Sequence, residues 1–243
     1  MTASGTLYVV GVGPGDPELI TLKAARLIAA TPVVAFFCKH GRPGHARAIA
    51  CGHFTASTEE LRFDYPFTTE IDVANPAYQA EMGQFYERTA GTLAARLTTG
   101  QDVVLLCEGD PFFYGSSMYL FDRLHGRHPT EIVPGITGMS GCWTQARLPM
   151  VHGDDILTIL PGTLDEDSLV QRLAGCDAAV IMKLGRNLPK IRAALHRAGL
   201  TERAVYVERG TMEGQKLLPF AELSTDRVPY FALVLIPGRQ AAR

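Results

Sequence analysis

A short apolar segment that runs directly into a glycine-rich turn constrains this chain more than any other feature. Residues 7–10 are apolar and partly β-branched, which predicts a buried strand. The turn GVGPGDP follows at 11–17, and residues 19–30 then place apolar side chains at helical spacing. A strand, a tight turn and a helix in this order begin a βαβ unit, so this segment predicts a parallel sheet.

Strand and helix patterns alternate through the rest of the chain, which predicts an α/β fold with mostly parallel sheets. Further strands are predicted at 32–37, 102–107, 131–133, 156–160, 178–184, 204–208 and 231–236, and helices at 77–98, 117–125, 165–174, before 146 and after Asn187. Residues 38–75 are predicted to form loops with short elements, and 215–220 an edge hairpin. The polar breaker cluster at 126–129 predicts two α/β domains, 1–126 and 127–243.

Composition narrows the classes of function. The chain has 243 residues, a net charge of −2 and 20% charged residues, whereas a nucleic-acid-binding domain is usually strongly basic. No apolar stretch reaches the roughly 18 residues of a membrane-spanning helix, and the N-terminus lacks a signal-peptide pattern. The five cysteines are scattered and form no C-x-x-C pair, so neither disulfides nor a metal site is predicted. We expect a cytoplasmic protein that binds neither nucleic acid nor membrane.

The first glycine turn invites comparison with dinucleotide-binding loops. The G-x-G-x-x-G pattern requires a third glycine where this chain has Asp16, and an acidic residue at the end of the second strand, which here ends at Phe37. Pro14 also removes one backbone N–H that a phosphate could use. These departures disfavour a dinucleotide-binding loop, and with it the hypothesis that the chain is a nicotinamide-dependent oxidoreductase. A plain strand-to-helix connection is the other interpretation of this turn.

A second turn, EGDP at 108–111, follows a predicted strand, at the end where open α/β sheets bind ligands. Asp110 can accept hydrogen bonds from a ligand or can cap the following helix, and the two roles are compatible. The adjacent aromatic residues, Phe112 to Tyr114, offer flat apolar area for a ring-shaped ligand. A third turn at 134–141 carries small residues that allow a helix N-terminus to approach another surface closely.

These turns together, at 11–24, 107–115, 133–141 and 207–211, resemble those of the tetrapyrrole (precorrin/corrin) methyltransferase family over nearly the whole chain. The resemblance implies two α/β domains, a homodimer, and S-adenosylmethionine bound in a cleft between the domains. Matched position by position, the cofactor-binding residues that it implies are Pro14, Glu108, Gly109, Asp110, Phe113, Thr137, Gly138, Leu184 and Gly210.

Two longer runs, 113–124 and 152–163, resemble the branch of the family that methylates precorrin-2 at carbon 20. This implies the formation of precorrin-3A in cobalamin (corrin) biosynthesis. The uroporphyrinogen-III methyltransferases differ, because they carry an acidic proton acceptor where this chain has Phe37. The alternatives are a cobalt-bound factor II as substrate, methylation at another ring position, a family member that acts on protein or rRNA, and a non-catalytic tetrapyrrole carrier.

Methyl transfer from a sulfonium to a ring carbon needs alignment and, afterwards, a group that accepts the proton of that carbon. The candidate catalytic residues are Asp110, Tyr114 and Glu108, with His152 as a further candidate base. The tetrapyrrole substrate is a polycarboxylate, and arginine pairs with carboxylates bidentately. Candidate substrate ligands are therefore cations near predicted strand or helix ends, chiefly Lys39, Arg42 and Arg147, with His40, Arg47, Arg186 and Arg209 as further candidates.

Overall fold

The computed structural model describes residues 3–67 and 75–238, and it divides into two compact units. The first unit ends at Thr137 and the second begins at Gly138. The sequence-based prediction placed a domain boundary after residue 126. The structure differs because the strand Thr130–Val133 pairs with the first strand of the chain and so completes the first sheet.

The first unit is an open parallel sheet with helices on both faces. Its strands are β1 (Leu7–Gly11), β2 (Val33–Lys39), β3 (Glu59–Tyr65), β4 (Val103–Cys107) and β5 (Thr130–Val133), and its helices are α1 (Leu22–Ala30), α2 (His45–Ala50), α3 (Pro76–Thr98) and α4 (Ser117–Leu124). The strand order is β3-β2-β4-β1-β5, and each of these pairings is parallel. The predicted α/β class and parallel sheet are confirmed for this unit.

Strand β1 is buried on both faces of the sheet, which explains why its apolar run is continuous rather than alternating. Val9 packs in a cluster with Leu93 of α3 and Leu120 of α4. Val10 packs on the opposite face, with Ile28 of α1 and with α2. Because successive strand residues point to opposite faces, β1 joins both cores and is fixed from both sides.

Two segments of the first unit differ from the sequence-based prediction. The described part of the stretch predicted as loop contains α2 and the edge strand β3, whose charged, exposed residues such as Glu59 mask the apolar alternation of a strand. Helix α1 begins later than predicted, at Leu22, because the Thr21 hydroxyl accepts a hydrogen bond from the Ala24 amide (3.2 Å) and caps the helix there. Pro17–Leu19 form a separate 3-10 turn.

The second unit contains a mixed sheet. Its strands are β6 (Leu157–Pro161), β7 (Ala178–Met182), β8 (Val205–Glu208), β9 (Lys216–Pro219) and β10 (Ala232–Ile236), and its helices are α5 (Gly138–Gln145), α6 (Glu166–Leu173) and α7 (Leu188–Arg197). The order is β6-β7-β10-β8-β9, and only β6 and β7 pair in parallel. This sheet departs from the predicted parallel arrangement because a direct loop, 209–215, joins β8 to β9, and direct loops join antiparallel strands.

Helices cover both faces of the second sheet. Helices α6 and α7 pack on one face, in a cluster that contains Ile191, and α5 packs on the other through Cys142. The edge hairpin predicted at 215–220 is confirmed, because β9 pairs antiparallel with β8 at the sheet edge. Helix α7 follows Asn187 as predicted, but the Asn187 side chain does not cap it. The side-chain Nδ2 of Asn187 donates instead to the Lys183 carbonyl (3.0 Å).

The described residues contain no helix with the length and apolar composition needed to cross a membrane. Within the same ranges, no group of histidine, cysteine and acidic side chains could hold a metal ion. All five cysteines are unpaired; Cys38, Cys107 and Cys142 are buried, whereas Cys51 is exposed. Desolvation raises the pKa of the Cys107 thiol to about 12, so this thiol is protonated at neutral pH.

Candidate functional site

The turns after β1 and β4 meet at the carboxyl edge of the first sheet. These neighbouring strands connect onward over opposite faces, β1 through α1 and β4 through α4. Open α/β sheets bind ligands at such a switch point. Gly13 and Gly109 bridge the two turns there: the Gly109 amide donates to the Gly13 carbonyl (2.8 Å), and the return bond is 3.4 Å long. The first two glycine motifs therefore pack directly against each other. Together with the third turn we call them the turn cluster (residues 11–16, 108–115 and 134–137).

Glycines in the turn cluster pack backbone against backbone. A Cβ added to Gly11 would lie 2.6 Å from the Gly109 carbonyl oxygen, and a Cβ added to Gly135 would lie 2.1 Å from the same oxygen. Real Cβ atoms do not approach this closely, so these positions require glycine for packing between the turns. Part of the glycine signal in the sequence therefore reports turn-to-turn packing rather than space for a ligand.

Asp110 links the second turn to the third by hydrogen bonds. Its Oδ1 accepts a hydrogen bond from the Phe112 amide (2.9 Å), and its Oδ2 accepts one from the Gly135 amide (3.1 Å). Helix α4 begins only at Ser117, so Asp110 caps a turn and not that helix. Each carboxylate oxygen has more than one lone pair, so Asp110 can still accept a hydrogen bond from a ligand.

Glu108 lies between the second turn and helix α2. Its Oε1 accepts a hydrogen bond from the Ala46 amide (3.2 Å), and its Oε2 has no partner among the residues that the structure describes. Desolvation by the surrounding protein raises the pKa of the Glu108 carboxyl to about 6, against the Ala46 amide, which lowers it. The residue as a whole is nevertheless exposed to solvent. A carboxyl group with this pKa can exchange a proton near neutral pH.

Two aromatic residues complete the second turn. Tyr114 has a positive φ of 56° and is 45% exposed, and its ring meets that of Phe113 edge-on, with 4.9 Å between the centroids. A bulky residue in the left-handed region is unusual and is often found at functional sites. Pro14 is buried in the first turn, where it fixes the backbone next to Gly13.

The third turn ends at Thr137, the last residue of the first unit, and Gly138 begins α5. A Cβ added to Gly138 would meet no atom within 4 Å, so the chain has open space at this position. Gly138 thus differs from Gly11 and Gly135, where neighbouring backbone excludes any side chain.

Leu184 and Gly210, both in the second unit, are packed against protein. Leu184 is 1% exposed and its side chain belongs to the core cluster that contains Leu188 and Ile191. Only the backbone of Leu184 is therefore available to a ligand in this conformation. A Cβ added to Gly210 would lie 2.6 Å from the Cys142 Sγ, so glycine is needed there to seat the loop on α5.

The loops after β6, β7 and β8 lie at one edge of the second sheet, because β10 runs antiparallel to both β7 and β8 while β6 is parallel to β7. We call this the strained edge, since three of its non-glycine residues have positive φ: Lys183 (58°), Arg209 (52°) and Thr211 (68°). Sequence reasoning missed this feature, because no residue type in these loops signals a left-handed backbone.

The predicted cations after β2 form a tight turn in which the Arg42 amide donates to the Lys39 carbonyl (2.9 Å). Both side chains are exposed, and the described residues provide no ion-pair partner for Arg42. Arg47 differs, because its guanidinium binds both oxygens of Glu60, at 2.5 and 2.8 Å. His40 lies 4.0 Å from Asp64. Arg42 is therefore better placed than Arg47 to meet a substrate carboxylate.

Arg147 ends helix α5 in an unusual way. The Leu148 amide donates to the Trp143 carbonyl (2.9 Å) and the Arg147 amide to the Thr144 carbonyl (3.0 Å), which is a Schellman motif. The left-handed position of that motif is normally glycine, whereas here Arg147 occupies it with φ 55° and an exposed side chain. His152, the further candidate base, lies in an exposed loop where its amide donates to Asp155 (2.9 Å).

A family model for tetrapyrrole (corrin/porphyrin) methylases matches residues 6–224. The chain belongs to this family. The precorrin-2 C(20)-methyltransferase of Sinorhizobium sp is 52% identical over 96% of both chains, and the cobalt-precorrin-2 C(20)-methyltransferase of Salmonella typhimurium is 28% identical over 96% of both chains. A solved structure of uroporphyrin-III C-methyl transferase from Thermus thermophilus, complexed with S-adenosylhomocysteine, is 26% identical, covers 95% of this chain and 96% of its own, and has a TM-score of 0.64.

In this tetrapyrrole methylase, Phe37 at the end of β2 belongs to an aromatic cluster that sequence reasoning missed. Its ring stacks on that of Tyr65 at 5.1 Å, and the rings of Phe85 and Tyr86 lie 5.9 and 6.2 Å away. These residues come from β3 and α3, so only the fold brings them together. A proton acceptor at position 37 would be surrounded by apolar rings, which agrees with its absence here.

Proposed function

We propose that this tetrapyrrole methylase transfers a methyl group from S-adenosylmethionine to carbon 20 of precorrin-2, giving precorrin-3A. The relative named for metal-free precorrin-2 is 52% identical, whereas the relative named for the cobalt form is 28% identical, which favours the metal-free substrate. The observation that carries the proposal is the convergence of three glycine turns at the switch point between β1 and β4.

The turn cluster suits a cofactor that is partly flat and positively charged. Its glycines allow the turns to pack closely, and its exposed side chains include the Glu108 carboxylate and the Tyr114 ring, which meets the Phe113 ring edge-on. S-adenosylmethionine carries a sulfonium, an ammonium group and an adenine ring, and when bound it supplies an activated methyl group. The residues that would hold it in the first unit are Pro14, Glu108, Gly109, Asp110, Phe113 and Thr137. Gly138, Leu184 and Gly210 are sequence-based predictions for the second unit.

Glu108 is the best-supported proton acceptor. It has an oxygen without a protein partner among the described residues, contact with water, and a pKa of about 6. Both carboxylate oxygens of Asp110 accept hydrogen bonds from backbone amides. We therefore assign Asp110 to holding the turns and the cofactor in place. Tyr114 lines the same turn, and its strained backbone directs the ring relative to Phe113. The assignment to Glu108 places the acceptor on a turn that also binds the cofactor.

Substrate carboxylates need cations that are not already paired. Arg42, in the exposed turn after β2, has no ion-pair partner among the described residues, and Lys39 is proposed only because its exposed side chain lies in the same turn. Arg147 is a second exposed guanidinium, held in place by the Schellman motif at the end of α5. We propose these three residues as substrate ligands, since arginine forms bidentate, charge-assisted bonds with carboxylates.

The test is to incubate the purified chain with precorrin-2, or with its cobalt complex, and S-adenosylmethionine labelled in the methyl group. Mass spectrometry counts the methyl groups added, and NMR locates the label on the ring. We expect one labelled methyl on carbon 20 of the metal-free substrate. A label at another ring carbon, or turnover of the cobalt complex alone, would overturn the proposed specificity.

Two further properties are proposed on the sequence evidence alone. The family resemblance implies a homodimer, which sedimentation of the purified chain would test. The composition and scattered cysteines imply a cytoplasmic location, which fractionation of the source cells would test.

A further inference from the structure

Helix α2 begins directly after the turn that carries the proposed substrate cation Arg42, and it has no cap of its own. The residue before the helix, Gly44, offers no side chain to the first amides of the helix. An uncapped first turn leaves backbone N–H groups without partners, which destabilises a helix. Because α2 has only six residues, its N-terminal end depends on partners from elsewhere in the fold.

Backbone conformation and packing both select glycine at the position before α2. Gly44 has a φ of 80°, in the left-handed region. A Cβ added there would lie 3.0 Å from the Phe37 carbonyl oxygen and 3.1 Å from a carbon of the Phe36 ring. A serine, threonine or aspartate cap is therefore disfavoured at this position, and the cap of α2 has to come from another segment.

The second turn supplies this cap from 62 residues further along the chain. The Ala46 amide, in the first turn of α2, donates to the Glu108 Oε1 (3.2 Å). A carboxylate next to a helix N-terminus also interacts favourably with the helix dipole. Glu108 thus has the role for α2 that an aspartate or serine at the N-cap has for other helices.

The turn 39–44 connects β2 to this capped end of α2. At its start, the Lys39 carbonyl accepts hydrogen bonds from the Arg42 amide (2.9 Å) and from the Arg62 guanidinium of β3 (3.5 Å). The sheet therefore fixes the start of the turn, and the first turn of α2 fixes its end. Arg42 lies between the two, so its position depends on how firmly Glu108 holds α2.

We infer that Glu108, through its hydrogen bond to Ala46, is a positioning residue for Arg42 and thereby for the carboxylates of the tetrapyrrole. The inference rests on the proposed function, in which Arg42 binds the substrate. A turn that is already fixed loses little conformational freedom when its arginine pairs with a carboxylate. Without the bond to Ala46, substrate binding would have to order the turn, and the affinity would fall.

Two replacements of Glu108 separate this hydrogen bond from the proposed proton acceptor. Glutamine keeps an oxygen that can accept from the Ala46 amide, whereas alanine removes it. The experiment measures the dissociation constant of precorrin-2 in the presence of S-adenosylhomocysteine, which has no methyl group to transfer, so chemistry does not contribute. We expect Glu108→Ala to bind precorrin-2 about tenfold more weakly than the parent, and Glu108→Gln to remain within about threefold of it.

Two further measurements test the route of the effect. In the ligand-free protein, hydrogen exchange at the Ala46 amide should be about tenfold faster in Glu108→Ala and nearly unchanged in Glu108→Gln. Arg42→Ala should weaken precorrin-2 binding less in the Glu108→Ala background than in the parent, because the two residues are coupled. Asn75→Ala is the matched control: it removes the cap that the Asn75 Oδ1 provides to the Ala77 amide of α3 (2.9 Å), and precorrin-2 binding should not change.

Equal weakening in Glu108→Gln and Glu108→Ala would show that the charge of residue 108 governs binding, rather than its bond to Ala46, and the inference would fail. Parent-like binding in Glu108→Ala, or equal weakening in Asn75→Ala, would also overturn it. Additive effects of Glu108→Ala and Arg42→Ala would likewise contradict the coupling.

If Glu108→Ala does not fold, Glu108→Asp replaces it, because the shorter side chain keeps the charge and withdraws the carboxylate from Ala46. Weakened binding of precorrin-2 by Glu108→Asp would support the inference, and parent-like binding would contradict it. Failure of the parent to bind precorrin-2 would refute the proposed function itself, so the two failures are distinguishable.

Discussion

The carboxyl edges of the two sheets differ in how many of their left-handed backbone positions are held by residues other than glycine. In the turn cluster of the first unit, glycines occupy most of the left-handed positions, with φ of 81° at Gly13 and 66° at Gly109, and Tyr114 at 56° is the exception. At the strained edge of the second unit, Lys183, Arg209 and Thr211 occupy such positions. Glycine makes a turn without strain and leaves the backbone open, whereas a larger residue keeps a side chain at a cost of about 1–2 kcal/mol. We infer that close packing of backbone matters more at the first edge, whereas side chains are retained at more of the strained positions of the second.

The largest effect is expected from a side chain placed between the turns of the first unit. Gly135→Ala would put a Cβ 2.1 Å from the Gly109 carbonyl oxygen, and both neighbours are backbone that cannot yield. We expect the free energy of unfolding to fall by about 3 kcal/mol or more, since even ordinary overpacking costs about 1–3 kcal/mol. Denaturant unfolding measures this.

The control for that experiment is Gly91→Ala in helix α3, where an added Cβ meets no atom within 4 Å. It should stabilise the protein by about 0.5–1 kcal/mol, because alanine favours a helix more than glycine does. Equal unfolding midpoints for Gly135→Ala and the parent would refute the tight packing of the three turns.

Replacing the proposed proton acceptor should have the next largest effect. Glu108→Gln keeps the shape of the side chain and removes the proton acceptor, so kcat should fall about a hundredfold or more. The affinity for S-adenosylhomocysteine, measured by calorimetry, should change much less. Parent-like turnover in Glu108→Gln would remove this residue from the chemistry and leave the first edge as a binding surface only.

The pH dependence tests the same residue in a second way. Desolvation of the carboxyl group by the neighbouring protein raises the pKa of Glu108 from 4.5 to about 6. The acceptor works as the carboxylate, so kcat should rise with pH through about 6 and then level off. The contribution of Glu108 to the stability of the fold changes with pH in the opposite direction to kcat. The folded state holds the Glu108 proton between about pH 4.5 and 6, so this group's contribution to stability decreases as pH rises through that window. Glu108→Gln should abolish both dependences, which rate and unfolding measurements against pH would show.

A smaller effect is expected from the exposed cation next to the first edge. Arg42→Ala should raise the Michaelis constant for the tetrapyrrole about tenfold to a hundredfold, because a charge-assisted bond contributes roughly 1.5–3 kcal/mol. Cofactor affinity should hardly change, and high salt should reduce the effect. Arg47→Ala is the control, since its guanidinium is already bound to Glu60. Equal Michaelis constants for both variants and the parent would place the substrate cations elsewhere.

The smallest effect concerns the strain itself. Arg209→Gly should raise the free energy of unfolding by up to about 1 kcal/mol, because glycine adopts the left-handed backbone freely while losing more chain entropy on folding. Arg209→Ala keeps the strain and removes the same charge, so it separates the two causes. A stability of Arg209→Gly no higher than that of Arg209→Ala would show that the strained edge stores little energy, and the comparison between the two edges would lose its basis.

The position of the first two turns of the turn cluster was predictable because its signals are local. The run from β1 through the glycine turn predicted the parallel sheet, and the position of Asp110 after a strand predicted a ligand-facing turn. Thr21 shows the limit of local signals: the helix begins after this cap, although apolar periodicity already starts at residue 19. Periodicity reports which residues are buried, whereas the end of an element depends on individual hydrogen bonds.

The sequence by itself determined the α/β class, the strands β1 and β4, the turns that follow them and the family to which the chain belongs. Only the tertiary structure decided that Asp110 holds Gly135, that Leu184 faces the core, and that the loop 209–212 is strained. The physical reason is distance along the chain. A pattern of residue types encodes local conformation and burial, but strand direction, pairing and strain arise from contacts such as Gly210 with Cys142, which exist only when remote segments have packed.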